Sequence, residues 1–303
     1  MTAEERVEPL DDDKRKKKKK DSPFKRSLKD FYRKLKKNKS AMVGGYLIIF
    51  LILVALIGPY LTQYDIRQPD YSIKFEGPSA EHWFGADHHG RDVFSRVIHG
   101  LGITMKIGLL STLFGGLAGI LIGIISGYYG RKVDAVIMRF MDVLLAFPGI
   151  LLALALISIL GASEENVIIA VSIFAVPTFA RIVRGSTLAT KNLEYIDAMK
   201  ALGASDIRII FKHILPNILS PIIVQASLFI ASAILSASGL SFIGMGVQPP
   251  SPELGAILSE GRDFMWDAGH ITLYPGLVIM LLVLAFNVFG DGLRDALDPK
   301  MKK

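Results

Sequence analysis

The stretch NLEYIDAMKALGASDIRIIFKHILPN, residues 192–217, stands between long uncharged apolar runs yet carries Glu194, Asp197, Lys200, Asp206, Arg208 and Lys212. Placing six charges at a bilayer centre would cost about 3 kcal/mol each, roughly 18 kcal/mol together. The segment therefore lies outside any hydrocarbon that its neighbours cross. Its own pattern is helical. Asn192 is placed to cap a helix beginning at Leu193, and Gly203 to end that helix in the left-handed conformation. Ser205 is placed to cap a second helix from Asp206, with Ile207, Ile210, Phe211 and Ile214 on one face. Pro216 then stops or kinks the chain. The pattern predicts a helix–glycine–helix elbow hung from a bundle of spans.

The flanks supply the bundle. Of 303 residues, 51% are hydrophobic, which points to an integral membrane protein. There is no cysteine, which excludes disulfides and thiolate metal sites. Apolar runs at 41–61, 107–129, 143–162, 167–183, 217–236 and 271–290 predict six transmembrane helices. Arg181 sits near one end of the fourth and must snorkel to the interface. After His213 no charge appears until Glu253, so the fifth span is followed by a short apolar segment that re-enters or caps the bundle. The first run is too long for a cleaved leader and reads as a retained anchor.

Ahead of it, residues 1–21 form a low-complexity charge block that predicts a disordered polybasic tail, either drawn to anionic headgroups or simply solvated. Ser22 and Pro23 then open an amphipathic segment, 22–40, with Phe24, Leu28, Phe31 and Leu35 on one face. That is the pattern of an interfacial helix lying flat beneath the first span. Basic residues set the orientation. The lysine-rich head, Arg131 and Lys132, the elbow and Lys300, Lys302 and Lys303 all fall on one side of a six-span bundle, so both termini are expected to be cytoplasmic. The resulting organisation is the first span at 41–61, an extracytoplasmic loop at 62–106, a core with five spans and the elbow (192–216) at 107–292, and a cytoplasmic tail at 293–303.

Within the second span, Gly115, Gly119, Gly123 and Gly127 recur every four residues and form a groove that admits another helix closely. The same spacing serves packing inside the bundle, contact with a partner subunit, or a sliding surface. His82, Asp87, His88 and His89 gather in the first outer loop. Imidazole and carboxylate suit nickel or zinc, but adjacent histidines lack the i, i+4 spacing that shares a helical face, and a structured polar loop, with no metal, is the expectation. Arg91, Asp92 and Arg96 are expected to pair locally at the surface, where pairs add little. Asp142 and Arg139 are expected at an interface. The chain has no G-x-x-x-x-G-K-[ST] loop, no H-E-x-x-H and no serine–histidine–carboxylate arrangement, so it is not expected to be an enzyme or to bind a cofactor.

The segment YIDAMKALGASDIRIIFKHILPN resembles the cytoplasmic coupling motif of ABC importer permeases, a Glu-Ala-Ala triplet before a glycine and, further on, Ile-x-Leu-Pro. The triplet positions here hold Asp197, Ala198 and Met199, followed by Gly203 and by Leu215-Pro216. Aspartate replaces the usual glutamate, methionine the second alanine and His213 the usual isoleucine. HWFGADHHGRDVFSRVIHG, SFIGMGVQPPSPELGAILSEGRDF and YPGLVIMLLVLAFNVFGDGLRDALDP resemble the second membrane subunit of dipeptide, oligopeptide and nickel importers. The polybasic head lies outside the resemblance.

The resemblance implies an all-α type I ABC importer permease fold in a bacterial or archaeal plasma membrane. It implies a heterodimer with a second permease subunit, two ATP-binding subunits that hold ATP-Mg, and an extracytoplasmic solute-binding protein, with no nucleic acid. By the same resemblance Tyr195, Asp197, Ala198, Met199, Gly203, Ala204, Ser205 and Asp206 lie at or near the ATPase contact. The expected cargo is an oligopeptide or dipeptide, with nickel or another small solute as the alternative. An ion-driven secondary transporter would place ionisable residues inside its spans. Spans one, two, five and six have essentially none.

Overall fold

The computed structural model describes residues 35–36 and 38–297. The polybasic block, most of segment 22–40 and the last residues of the chain lie outside them. Among the described residues the chain is helical apart from connecting loops and one isolated bridge between Ala86 and Asp92. In chain order the helices are α1 (Lys39–Leu61), α2 (Val93–Tyr129), α3 (Arg131–Ala146), α4 (Gly149–Leu160), α5 (Glu164–Lys191), α6 (Glu194–Ala201), α7 (Asp206–Ile209), α8 (Leu215–Phe242), α9 (Leu254–Gly261) and α10 (His270–Leu297). Five helices are long and apolar enough to cross a membrane: α1, α2, α5, α10 and the continuous run from α7 through α8. A sixth crossing exists if α3 and α4 together count as one.

Within that pair the predicted span at 143–162 is not one straight helix. Pro148 disfavours a helical conformation at the preceding residue, and Phe147 is extended, with φ −88° and ψ 133°. The helix therefore breaks, and α3 and α4 meet at 88°. Alone, α4 reaches about 18 Å, short of the ~30 Å hydrocarbon core. Other limits move too. The helix that holds the second predicted span starts at Val93, because Asp92 caps it by accepting from the Ser95 amide at 2.7 Å, so the end of the loop predicted at 62–106 is helical. Asn38 caps α1 from the Ala41 amide at 3.1 Å, which takes residues 39 and 40 from the expected interfacial helix. At the far end α10 runs on to Leu297, past the predicted tail boundary.

Three packed clusters hold the bundle together. The first joins α1, the start of α2, the middle of α8, α9 and α10. The second joins α2, α4, α5 and α8. The third seats the elbow. The most extensive pairing is α2 with α5, and the glycine ladder lies in it. A Cβ on Gly119 would stand 2.6 Å from Phe179 Cβ and 2.7 Å from the Val176 carbonyl oxygen. On Gly123 it would meet the Ala180 oxygen at 2.6 Å, and on Gly127 Thr187 Cβ at 2.8 Å; Gly115 lies as tightly against Ser172 and Ala175. The four-residue period thus faces α5 backbone to backbone, and the groove is filled within the chain.

The short apolar segment expected after the fifth span is α9. Its cap, Glu253, is fully buried and accepts from Thr104 Oγ1 (2.8 Å), Ser238 Oγ (3.2 Å) and the Ala256 amide (3.0 Å). One carboxylate thereby pins α9 to both α2 and α8.

Gly119→Val should destabilise the folded bundle by about 1–3 kcal/mol through overpacking against α5. Gly185→Ala, with open space around its Cβ position, should be neutral or gain up to ~1 kcal/mol. Thermal unfolding in detergent, followed by fluorescence size-exclusion chromatography, checks both.

Candidate functional site: the elbow between α5 and α8

Helix α6 starts one residue later than the sequence pattern suggests. Leu193 is its cap residue, without a side-chain bond, and Asn192 instead closes α5. Its end is as expected. Gly203 has φ +79°, its amide donates to the Lys200 oxygen at 2.9 Å, and the Ala204 amide donates to the Met199 oxygen at 3.0 Å. Those paired bonds satisfy two carbonyls left open by the helix end, and a left-handed residue is required between them. Ser205 precedes α7 in extended conformation but makes no side-chain cap; its carbonyl accepts from the Ile209 amide at 3.0 Å.

The predicted apolar face is divided. Ile210 and Ile214 are buried, together with Ile209, whereas Ile207 is 71% and Phe211 59% exposed. The cause is a π turn at Ile210–Ile214, closed by the Leu215 amide on the Ile210 oxygen. Pro216 has no N–H, and in a regular helix its ring would press on the Lys212 carbonyl. Widening the turn by one residue relieves that contact and resets which residues face inward. Pro216 therefore neither stops nor breaks the helix.

The inner side of the elbow is anchored firmly. Ile196, Ile209, Ile210 and Ile214 pack with Ile124, Tyr128 and Val183. Tyr128 Oη donates to Asp206 Oδ1 at 2.7 Å, and Lys191 Nζ donates to the Tyr128 carbonyl. Beside it, Asp134 on α3 is held by Arg184 on α5 and by Ser126 Oγ at 2.5 Å. The outer side is bare. Tyr195, Asp197, Ala198, Gly203, Ser205 and Asp206 are exposed; Met199 and Ala204 are half-buried. Leu202, at the tip, is 85% exposed. Among the described residues Asp197 pairs with Lys200 alone, at 2.9 Å on the surface. An element packed on one side, with Leu202, Ile207 and Phe211 uncovered on the other, offers an apolar handle ringed by charge.

The opposite end of the bundle holds what the sequence placed at the surface. Arg96 is fully buried and bonded to Asp87 and, at 2.8 Å, to Glu260; Arg91 reaches Asp87 at 2.7 Å and Glu260 at 2.6 Å. Local pairing was the expectation; Glu260 lies far along the chain, so no local pattern marks it. Asp87, His88 and Glu260 form a group whose ligand atoms lie within 4.8 Å of one another. Both carboxylates are already held by guanidiniums, so two cations balance the two anions and the group is an ion-pair knot. Burial pushes Asp87 up, but Arg96, Arg91 and the Arg91 and His89 amides outweigh it and hold the carboxyl below its ordinary range. Glu260 behaves alike, burial opposed by the hydrogen bond and charge of Arg96 and by Arg91. Burial, and then His89, push the His88 imidazole down. His82 turns to Asp92, 2.9 Å away. Asp142 pairs with Arg181 at 2.8 Å on the surface.

Bundle and elbow define a polytopic membrane protein with an exposed, partly apolar element at one end. The family described as "Binding-protein-dependent transport system inner membrane component" matches residues 119–303, and the "N-terminal TM domain of oligopeptide transport permease C" matches residues 27–78. The chain is 48% identical over 274 residues to the dipeptide transport system permease protein DppC of Alkalihalophilus pseudofirmus, covering 90% of each. It is 46% identical over 284 residues to the glutathione transport system permease protein GsiD of Pectobacterium atrosepticum, covering 93% of this chain and 94% of that one. Its fold matches a chain of the methionine ABC transporter MetNI in an inward-facing form, with TM-score 0.56 and 20% identity, over 67% of this chain and 97% of that one. The chain belongs to the inner-membrane permease components of binding-protein-dependent ABC importers. It is a multi-pass inner-membrane protein of a family whose members are in general non-catalytic subunits.

Both knot carboxylates lie below their unfolded values, so their stabilisation is complete above about pH 4 and is lost as pH falls through the folded values. Melting temperature should hold down to about pH 4 and fall progressively below it, less steeply in Glu260→Gln than in the unaltered chain. At pH 7 Glu260→Ala should cost on the order of 3 kcal/mol, since it strips a buried guanidinium of a partner.

Proposed function

We propose that this chain forms half of the translocation pathway of a peptide importer, paired with a second permease subunit and driven by two ATP-binding subunits that carry ATP-Mg. The observation that carries this reading is the elbow: its inner side is locked to α2 and α5, while Leu202, Ile207 and Phe211 stand uncovered. A groove on an ATPase would cover those side chains, and the charged rim of Asp197, Lys200, Asp206 and Arg208 would set its register. Closure of the ATPase pair would pull the elbow, and the Tyr128–Asp206 bond and the isoleucine cluster would pass that displacement to the spans. Coupling requires the elbow to contact the ATPase differently in its two states.

Dipeptides or slightly longer peptides are the cargo this reading favours, because the relatives over nine-tenths of the chain are named for a dipeptide and for glutathione, itself a short peptide. A solute-binding protein would deliver the peptide at the knot end. The basic residues at the elbow end favour that end as cytoplasmic, with both termini on the same side.

Tagged wild-type protein solubilised in mild detergent should bring down an ATP-binding subunit. Asp197→Arg, Leu202→Arg and Gly203→Pro should each reduce that recovery at least about tenfold, the loss expected for truncating an interface anchor, while membrane insertion stays unchanged. Absence of any ATPase with the wild type would overturn the importer reading. Equal recovery with all three variants would retain it and remove the elbow as the contact.

A further inference from the structure

A groove of about 500 Å³ runs down the outside of the α2–α5 pair from the knot end. Leu110, Phe114, Ile169 and Ile173 wall it, and Gly115, Ala118 and Ser172 form its floor. Gly115 supplies no side chain, and Ser172 Oγ donates to the Ile168 carbonyl of its own helix at 2.6 Å, so the floor has no open polar group. Along α5 the groove extends from Glu164 to Val176, about 18 Å at ~1.5 Å per residue, close to one leaflet of a ~30 Å core. Charge is confined to its mouth. Lys106 Nζ lies 2.8 Å from Glu164, its side chain is 60% exposed, and Glu165 is exposed beside them.

An apolar slot one leaflet deep, with charges only at the rim, is complementary to an amphiphile. The rim also specifies the head. Lys106, paired with Glu164, keeps an exposed ammonium for a phosphate, and Glu165, held by its own amide and Ser163 yet exposed, offers its remaining acceptor capacity to an amine. With two carboxylates against one lysine, the rim disfavours a head of net negative charge. We propose that this groove is a binding site for a zwitterionic phospholipid with a primary-amine head, one acyl chain lying between α2 and α5. The lipid would sit in the leaflet at the knot end. It would complete the surface of the pair that the glycine ladder joins, without entering their contact.

The test uses the full-length chain with its copurifying subunits, reconstituted in nanodiscs of equimolar phosphatidylethanolamine, phosphatidylcholine and phosphatidylglycerol. The reading is native mass spectrometry of retained lipid. Phosphatidylethanolamine should be enriched about threefold over each of the others, the discrimination expected of one exposed ion pair. Lys106→Gln and Glu165→Gln should each remove that preference, and Ala118→Phe, which fills the slot, should remove the retained lipid. Equal retention of the three lipids by the unaltered chain, or an unchanged preference in the two rim variants, would overturn the proposal. So would a crosslink from Phe114→Cys, the one thiol in a chain without cysteine, to another membrane subunit, because the groove would then be a protein interface.

Discussion

Everything in this bundle is arranged around the close approach of α2 and α5. Four glycines on one face of α2 let its backbone lie against the α5 backbone from Ser172 to Thr187. In lipid, no hydrophobic drive brings two apolar helices together, so the contact must come from dispersion at short range. A single added methyl anywhere along the ladder would separate the axes. That separation would reach both ends at once. At one end Lys191 would leave the Tyr128 carbonyl and Arg184 would leave Asp134; at the other Lys106 would leave Glu164. The elbow follows directly from α5 and packs on α2, so its position is set by this pair before any partner is considered.

The two ends are stiffened by different chemistry. The elbow is seated on isoleucines and the tyrosine–aspartate bond, with the Arg184–Asp134 pair and Lys191 beside them, and among the described residues its outer face is uncovered. The knot end buries full charges: Arg96 with Asp87 and Glu260, and Glu253 with two hydroxyls. Buried ion pairs are a poor source of stability but tolerate few alternative arrangements. Such a knot fixes where the loop ahead of α2 meets the end of α9, beside the apolar contacts of Val93 and Val97 with Leu254 and Ile257.

Periodic features were legible in the sequence. The four-residue glycine repeat, the charged interruption and the apolar runs each state a local rule, and α1, α5, α8 and α10 lie where those rules put them. What escaped was whatever depended on the rest of the chain. Arg96 looks like a surface residue near Arg91 and Asp92 until Glu260 arrives from far along the sequence. Glu253 looks like a loop carboxylate until Thr104 and Ser238 close over it. Pro148 was visible, but a proline inside a long apolar run is compatible with a kinked span, and only the 88° bend separates that from two helices.

The elbow shows how far a correct local reading can carry a wrong detail. Counting by 3.6 puts Ile207, Ile210, Phe211 and Ile214 together, and that count assumes an unbroken helix. The proline that ends the motif forces a wide turn, and the wide turn moves Ile207 and Phe211 from the packed side to the open one. The error matters for function, because those two side chains, with Leu202, then make the bare apolar surface. A regular helix here would have hidden most of that surface in the bundle. Pro216 thus shapes the elbow from outside it, by deciding which face of the preceding turn packs on the bundle and which stays exposed.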